Sequence, residues 1–316
     1  MRFFLIVFKK IGVLIILLMV CLILSILSSE FLTIPNLINI ARQASILIVV
    51  STGLTLVMIN GGIDLSIGSV AGLSGAILGY FMDTFKIGSG ISLFVALLIV
   101  LLIGILVGLL NGFVITKTGI APFITTLAGL TIYRGVVYLI TRGRPIHNIS
   151  STLTNIGRNY FFRLPIIVWI AIIFIVIFHI FLSYTLDGIR IRQIGTNKVA
   201  AAFNGINVNK YTILTYVISS LMASIGGILL FGRLNAAAPN AGNGYELDII
   251  AAIVIGGGSL SGGVGKIWGT AIGVLITTTI RNGLNLLNIN VFWQYIATGL
   301  IIVFAVIIDS YRKRIE

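Results

Sequence analysis

Continuous runs of apolar residues, separated by short polar connections, follow one another along the whole chain. Most runs approach the length of about 20 residues that a helix needs to cross a hydrocarbon core about 30 Å thick. Apolar and polar residues do not alternate within the runs, as they would in the strands of a membrane barrel. Because only helices and closed barrels satisfy their backbone groups in lipid, the pattern predicts an all-α polytopic membrane protein.

The apolar runs predict about ten transmembrane helices, some of them interrupted by Gly-rich segments. Their approximate bounds are 11–28, 44–60, 66–82, 88–110, 121–140, 165–183, 211–230, 247–260, 266–287 and 292–309. An even number of helices places both termini on the same side of the membrane. Both ends are basic, and the positive-inside rule therefore predicts that this side is cytoplasmic. The residues concerned are Arg2, Lys9, Lys10, Arg312, Lys313 and Arg314.

The polar connections leave a single transmembrane domain over residues 1–316. The longest inward connection is 184–210, and the longest outward connections are 141–164 and 232–248. None is long enough for a soluble domain, and the chain lacks the G-x-x-x-x-G-K-[ST] phosphate loop of an ATPase. No nucleophile with a base and no H-E-x-x-H metal motif is recognisable, so an intramembrane enzyme is not expected.

Composition agrees with the pattern, since 58% of the residues are hydrophobic and only 9% are charged. The net charge of +13 would suggest nucleic-acid binding in a soluble protein. Here the basic residues lie in short connections, where they meet anionic lipid headgroups, and no basic helix stands outside the apolar runs. Lipid is therefore an expected partner and nucleic acid is not. The single cysteine, Cys21, supplies neither a disulfide nor a metal site.

The pattern G-G-x-x-L-S-x-G occurs twice, as GGIDLSIG at residues 61–68 and as GGGSLSGG at residues 256–263. Paired Gly-interrupted segments in the two halves of a transporter indicate the translocation path. Glycines also form close packing faces between membrane helices, and the two roles can coexist. The candidate path residues in and beside the repeat are Asn60, Gly61, Gly62, Asp64, Ser66, Gly257, Gly258 and Ser261.

Four charged residues near or within the spans have alternative interpretations. Asp64 either caps the helix that starts near Ser66 or takes part in gating, because a carboxylate in a membrane is costly. Glu246 and Asp248 are expected to cap the short eighth span. Arg134, within the fifth span, needs a buried partner or reaches the membrane surface along its side chain.

The inward connection contains GTNKVAAAFNGINV at residues 195–208, which predicts a short surface helix. Ala200, Ala201 and Ala202 lie on one helical turn, and small side chains allow another surface to approach closely. Gly205 is placed to end the helix, because glycine readily adopts the left-handed conformation.

Four stretches together resemble the permease family of ribose-type ABC importers. They are FLTIPNLINIARQ at 31–43, NGGIDLSIGS at 60–69, GTNKVAAAFNGINVNK at 195–210 and GYELDIIAAIVIGGGSLSGGVGKIWGTAIG at 244–273. The resemblance covers nearly the whole chain. It implies a permease subunit that moves a monosaccharide across the bacterial inner membrane, and ribose is the first candidate for that monosaccharide.

The resemblance also implies partners: a second permease copy, a cytoplasmic ATPase that binds ATP and Mg²⁺, and an extracytoplasmic sugar-binding protein. The chain itself is expected to bind no cofactor. The segment 195–208 becomes the coupling helix that contacts the ATPase, with Lys198 where the family commonly has an acidic residue. The residues expected to couple to the ATPase are Gly195, Asn197, Ala200, Ala201, Gly205 and Asn207.

Basic residues in the outward connections are expected to meet acidic patches on the sugar-binding protein. They are Arg142, Arg144, Arg158, Arg163 and Arg233. Xylose, galactose and a furanosyl signalling molecule remain alternative substrates within the family. An ion-coupled secondary transporter is the alternative from another class, with Asp64 as its best-placed acid.

Overall fold

The computed structural model describes residues 2–86, 90–147, 150–294, 296–300, 303, 304 and 307, with the side chains of the first helix from residue 12 onward. Its named helices are α1 Arg2–Leu27, α2 Ile34–Ile59, α3 Ile67–Phe85, α4 Gly90–Thr118, α5 Pro122–Thr141, α6 Ser151–Arg158, α7 Ile166–Tyr184, α8 Leu186–Thr196, α9 Lys198–Phe203, α10 Val208–Leu234, α11 Tyr245–Ile255 and α12 Ile267–Leu286. Two short antiparallel strands, β1 Tyr160–Phe161 and β2 Leu164–Pro165, pair with each other.

The predicted helical membrane architecture is confirmed at the level of fold class. Helices α2, α4, α5, α7 and α10 are each long and apolar enough to cross a membrane. Residues 291–294 and 296–300 are helical, in agreement with the start of the predicted last span. The basic residues at 312–314 lie outside the described residues, so the cytoplasmic location of the termini stays a prediction.

Helix α2 begins at Ile34, well before the predicted start of its span at residue 44. Pro35, in the first helical turn, favours a helix start at this point. The polar residues that follow resembled a connection, but they have partners inside the protein. Asn36 and Asn282 of α12, for example, exchange side-chain hydrogen bonds of 3.0 and 2.8 Å.

Helix α11 ends at Ile255, earlier than the predicted span to residue 260. Its 11 residues extend over about 16 Å, roughly half of a hydrocarbon core. Its N-cap is Gly244, and Glu246 and Asp248 lie inside its first turn. The two acids were predicted to precede the helix, but the helix starts earlier than the apolar run, so they lie within its first turn, where negative charge is favoured.

The centre of the fold is formed by α2 and α10, which pack along each other. Helix α2 is buried from Ala44 to Ile59 and contacts α7 and α12 on its other sides. Its buried Ser51, Thr52 and Thr55 donate hydrogen bonds to carbonyl oxygens three or four residues earlier. Protein rather than lipid therefore surrounds this helix, and its hydroxyl groups are satisfied within it.

A stripe of glycines on α4 permits close contact with α10. A β-carbon on Gly108 would lie 2.5 Å from Val217 Cα, and one on Gly112 would lie 2.8 Å from Ile213 Cα. Small residues at four-residue spacing bring membrane helices together in this way, so that their backbones touch.

The two outward connections meet at one end of the bundle. Ile146 and Ala237 form an antiparallel bridge between them. Arg134 of α5 donates hydrogen bonds to the carbonyl oxygens of Pro239 (3.1 Å) and Ala241 (2.8 Å). The backbone of the connection 232–248 thus supplies the partner that Arg134 was predicted to need. In return, Arg134 anchors this connection to α5.

Replacing Gly108 by Val is expected to separate α4 from α10 and to destabilise the protein by about 1–3 kcal/mol, the usual cost of overpacking. The midpoint of thermal unfolding in detergent should fall by several degrees. Gly135→Val is the matched control, because a β-carbon at Gly135 meets no atom within 4 Å. Equal midpoints for the two variants would contradict the close contact.

Candidate functional site

The two copies of the glycine repeat meet at the end of the bundle opposite the outward connections. The backbone N–H of Gly263 donates a 2.8 Å hydrogen bond to the carbonyl oxygen of Ile59. A β-carbon on Gly262 would lie 2.8 Å from Gly61 Cα and 2.8 Å from the carbonyl oxygen of Gly195. We call the four residues Gly61, Gly195, Gly262 and Gly263 the glycine junction.

Gly195 belongs to this junction because α8 brings its backbone against both repeats. A β-carbon there would collide with the carbonyl oxygen of Ile59 and with the backbone nitrogen of Gly263. Both obstacles are backbone atoms, so a side chain at this position requires whole segments to move. The sequence predicted the repeat and the inward helix as separate features, and the structure places them in direct contact.

The short helix predicted within residues 195–208 is confirmed as α9, and its start is fixed by Asn197. The Oδ1 atom of Asn197 accepts hydrogen bonds of 3.0 Å from the backbone N–H groups of Val199 and Ala200. Asn207 caps α10 in the same way by accepting from Lys210 N–H at 3.0 Å. Asparagine is among the preferred residues at this position, because its side chain satisfies an otherwise free N–H group.

Gly205 ends α9 in the left-handed conformation, with φ of +77°. The N–H groups of Gly205 and Ile206 donate to the carbonyl oxygens of Ala202 (3.0 Å) and Ala201 (3.1 Å), which satisfies the last turn. A β-carbon on Gly205 would meet no atom, so only the backbone conformation requires glycine here.

Helix α9 presents an apolar surface away from the rest of the chain. Val199 is 65% exposed and Phe203 is 88% exposed, and Ala200 between them is exposed as well. Ala201 is buried and packs inward, so it supports the helix from beneath. An exposed phenylalanine beside small residues is typical of a surface that a partner covers.

A cluster that the sequence did not reveal holds α8 to α10. The Tyr211 hydroxyl donates to Asp187 Oδ1 at 2.7 Å, and Arg190 donates to the same hydroxyl at 2.7 Å. The hydrogen bond to Tyr211 and the nearby carboxylate of Asp187 raise the pKa of Arg190 above its ordinary value. Asp187 and Arg190 stand three residues apart, and this spacing is the sequence signal from which their pairing on a helix could have been predicted.

Asp64 is fully buried and is the centre of a polar network. Its Oδ1 accepts from the backbone N–H of Ser66 (3.0 Å) and from the Ser66 hydroxyl (2.6 Å), and its Oδ2 accepts from Ser219 (2.8 Å). Asn111 donates to the Ser66 hydroxyl at 3.0 Å and accepts from Tyr133 at 2.9 Å. The network joins the start of α3 to α4, α5 and α10. Asp64 therefore does more than hold the start of one helix.

The other predicted path residues lie near this network or at the junction. Asn60 is buried and donates to Thr212 of α10 at 3.1 Å. Gly62 lies against the Tyr216 hydroxyl, at 2.5 Å from where its β-carbon would be, and Gly258 lies against Ile253. Gly257 adopts the left-handed conformation after α11, and Ser261 contributes a carbonyl oxygen near Gly61. In this conformation the set is packed, and its role in the path stays a prediction.

The predicted docking arginines lie at the opposite end of the bundle. Arg142, Arg144, Arg158 and Arg163 are all exposed. Arg233 differs, because it is only partly exposed and donates to Asn39 Oδ1 of α2 at 3.2 Å. It therefore points into the protein, and four of the five residues remain available to a partner at the surface.

The chain is similar to known transport proteins. A family model described as "Branched-chain amino acid transport system / permease component" matches residues 36–306. The ribose import permease protein RbsC of Bacillus subtilis (strain 168) is 41% identical over 309 residues, covering 97% of this chain and 94% of that protein. RbsC of Escherichia coli (strain K12) is 38% identical, with 95% and 93% covered. The L-arabinose transport system permease protein AraH of the same strain is 37% identical, with 90% and 85% covered. No solved structure matches the chain significantly.

Replacing Asp64 by Ala is expected to leave the hydroxyls of Ser66 and Ser219 without their buried acceptor. This loss should cost about 1–3 kcal/mol and lower the midpoint of thermal unfolding in detergent. Asp83→Ala is the control, because Asp83 is exposed and its ion pair is with the equally exposed Lys86. If both variants unfold at the wild-type temperature, the network around Asp64 does not hold the four helices together.

Proposed function

Because the chain belongs to the permease family of the branched-chain amino acid transport system, we propose that it is the membrane-spanning subunit of a bacterial ABC importer for ribose or a similar monosaccharide. The observation that carries this function is the likeness, over nearly the full chain, to ribose import permeases. The long apolar helices fit a multi-pass protein of the inner membrane.

Helix α9 is the coupling helix in this proposal, and a separate cytoplasmic ATPase binds ATP and Mg²⁺. Support comes from the exposed apolar surface of Val199, Ala200 and Phe203, which has the character of a docking surface. Asn197 and Gly205 fix the two ends of the helix, so that it moves as one body. Lys198 is exposed beside this surface and sets the charge that the ATPase groove meets.

The glycine junction carries movement from α9 into the membrane helices. Gly195 lies at the end of α8, just before α9, and its backbone touches both glycine repeats. These repeats follow α2 and α11 and precede α3 and α12. Because the backbones touch without intervening side chains, the segments cannot move independently. A displacement of α9 therefore also shifts the ends of α2 and α11 and the starts of α3 and α12.

A sugar-binding protein delivers the substrate to the opposite end, and a second copy of the chain completes the path. The four exposed arginines there suit acidic patches on such a protein. The AraH relative makes a related pentose the second candidate substrate. An ion-coupled transporter is less well supported, because both carboxylate oxygens of Asp64 already accept hydrogen bonds from serines.

Gly205→Val is expected to uncouple ATP hydrolysis from sugar uptake, because valine strains the left-handed turn that ends α9. Uptake by the reconstituted complex should fall at least about tenfold, which corresponds to roughly 1.4 kcal/mol, while the variant stays in the membrane. The matched control is Gly119→Val, since Gly119 also has a positive φ and open space around it. Equal uptake by the two variants would remove the coupling role from this turn.

Reversing charge at Arg142 and Arg144, each to Glu, is expected to weaken docking of the sugar-loaded binding protein. The loss should be several-fold at low ionic strength and smaller at high salt, because exposed charges are screened. This loss is measured as the affinity of the sugar-loaded binding protein for the permease complex in nanodiscs. Lys86→Glu, another exposed reversal, serves as the comparison. Affinity that does not change with these substitutions would assign the arginines to lipid contacts.

A further inference from the structure

A polar cavity lies among α2, α10, α11 and α12, on the side of the bundle away from the glycine junction. It is small and open to the surface. Its walls combine charged, hydroxyl, amide and aromatic side chains. The lining residues are Gln43, Leu47, Arg233, Tyr245, Asp248, Thr277, Thr278 and Arg281.

The floor of the cavity contains an ion pair between Asp248 and Arg281. The two nitrogens of the Arg281 fork lie 2.6 and 2.7 Å from the two carboxylate oxygens of Asp248. The Asp248 side chain is 7% exposed, and that of Arg281 is 33% exposed. Ionisable residues within membrane helices usually serve a substrate or ion path, because their burial is costly.

Thr278 supplies a hydrogen-bonding group that the protein does not use. It is 3% exposed, and its Oγ1 atom has no hydrogen-bond partner in the described part of the chain. Buried hydroxyls are normally paired, so an unpaired hydroxyl on a residue that lines a cavity is a candidate to bind a ligand. Thr277, Gln43 and Tyr245 place further polar groups around the same space.

The mixture of groups favours a neutral ligand with many hydroxyls. Asp248 and Arg281 neutralise each other, and Arg233 already donates to Asn39. An anion would meet the Asp248 carboxylate, whereas a sugar hydroxyl can both donate and accept.

The short helix α11 adds a geometric argument. Its first turn supplies Tyr245 and Asp248 to the cavity, and its 11 residues extend over about 16 Å, roughly half of a hydrocarbon core. Transporters commonly build substrate sites at the ends of such interrupted helices.

We propose that this cavity is a monosaccharide contact site of the permease, with Thr278, Asp248 and Arg281 as its hydroxyl-binding residues. The proposal rests on the proposed function, and it places the sugar apart from the path residues predicted around the glycine repeats. The sugar enters from the outer end and is held transiently, because the binding protein rather than the permease supplies the affinity.

The test uses the full complex of permease, ATPase and binding protein in proteoliposomes, with labelled ribose and labelled L-arabinose. Thr278→Val removes one hydrogen bond with little change of shape and should lower ribose uptake about three- to tenfold. Thr278→Ser keeps the hydroxyl and should restore uptake. The matched control is Thr279→Val, because Thr279 is buried on the same helix but does not line the cavity.

Two further measurements separate sugar contact from folding or docking. Arg281→Lys should change the ratio of ribose to L-arabinose uptake, which a structural defect would lower equally for both sugars. Stimulation of ATP hydrolysis by the loaded binding protein should persist in Thr278→Val. Equal uptake by Thr278→Val and Thr279→Val, or an unchanged sugar ratio in Arg281→Lys, would overturn the contact site. Absence of ATP-dependent uptake of either sugar by the wild-type complex would instead refute the proposed function.

Discussion

The architecture depends on the backbone contact at the glycine junction. The carbonyl oxygen of Ile59, the backbone of Gly195 and the N–H of Gly263 approach so closely that no side chain fits among them. Backbone groups within a membrane protein need internal partners, and here the ends of helices from both halves of the chain provide them for one another. The loop that carries α9 is therefore packed against the membrane helices, and its position is tied to the ends of those helices.

Close packing of this kind requires helices that are stiff and surrounded by protein. Helix α2 meets this requirement, since it is buried from Ala44 to Ile59 and its hydroxyls are satisfied within the helix. The glycines of α4 let α10 approach from one side. The network around Asp64 then links α3, α4, α5 and α10 near the junction, so the packed end at the junction stands in contrast to the open polar cavity on the other side of the bundle.

Features that depend on local sequence were predictable, and features that depend on distant contacts were not. The start and end of α9 follow from Asn197 and Gly205, whose effects reach only a few residues along the chain. The start of α2 was missed because Asn36 is polar, and only its pairing with Asn282 makes it suitable for a helix in the protein. The repeat was visible in the sequence, but the contact between Gly61 and Gly262 joins segments that no local pattern relates. Asp248 was taken for a cap, because its partner Arg281 lies on another helix.

Two helices connect the glycine junction to the polar cavity and give the proposed transport cycle a physical route. Helix α2 carries Ile59, whose carbonyl oxygen accepts a hydrogen bond from the junction, and Gln43, which lines the cavity, about 24 Å apart along a continuous helix. Helix α12 begins at Ile267, just after the second repeat, and carries Thr278 and Arg281 into the cavity wall. A rigid helix transmits a displacement of one end to the other, and α11 follows α12 because Gly273 of α12 packs against the backbone of Ala252. Movement of α9 would then change the spacing of Gln43, Asp248 and Arg281 around a bound sugar, and a site formed by groups from three helices releases its ligand when that spacing changes.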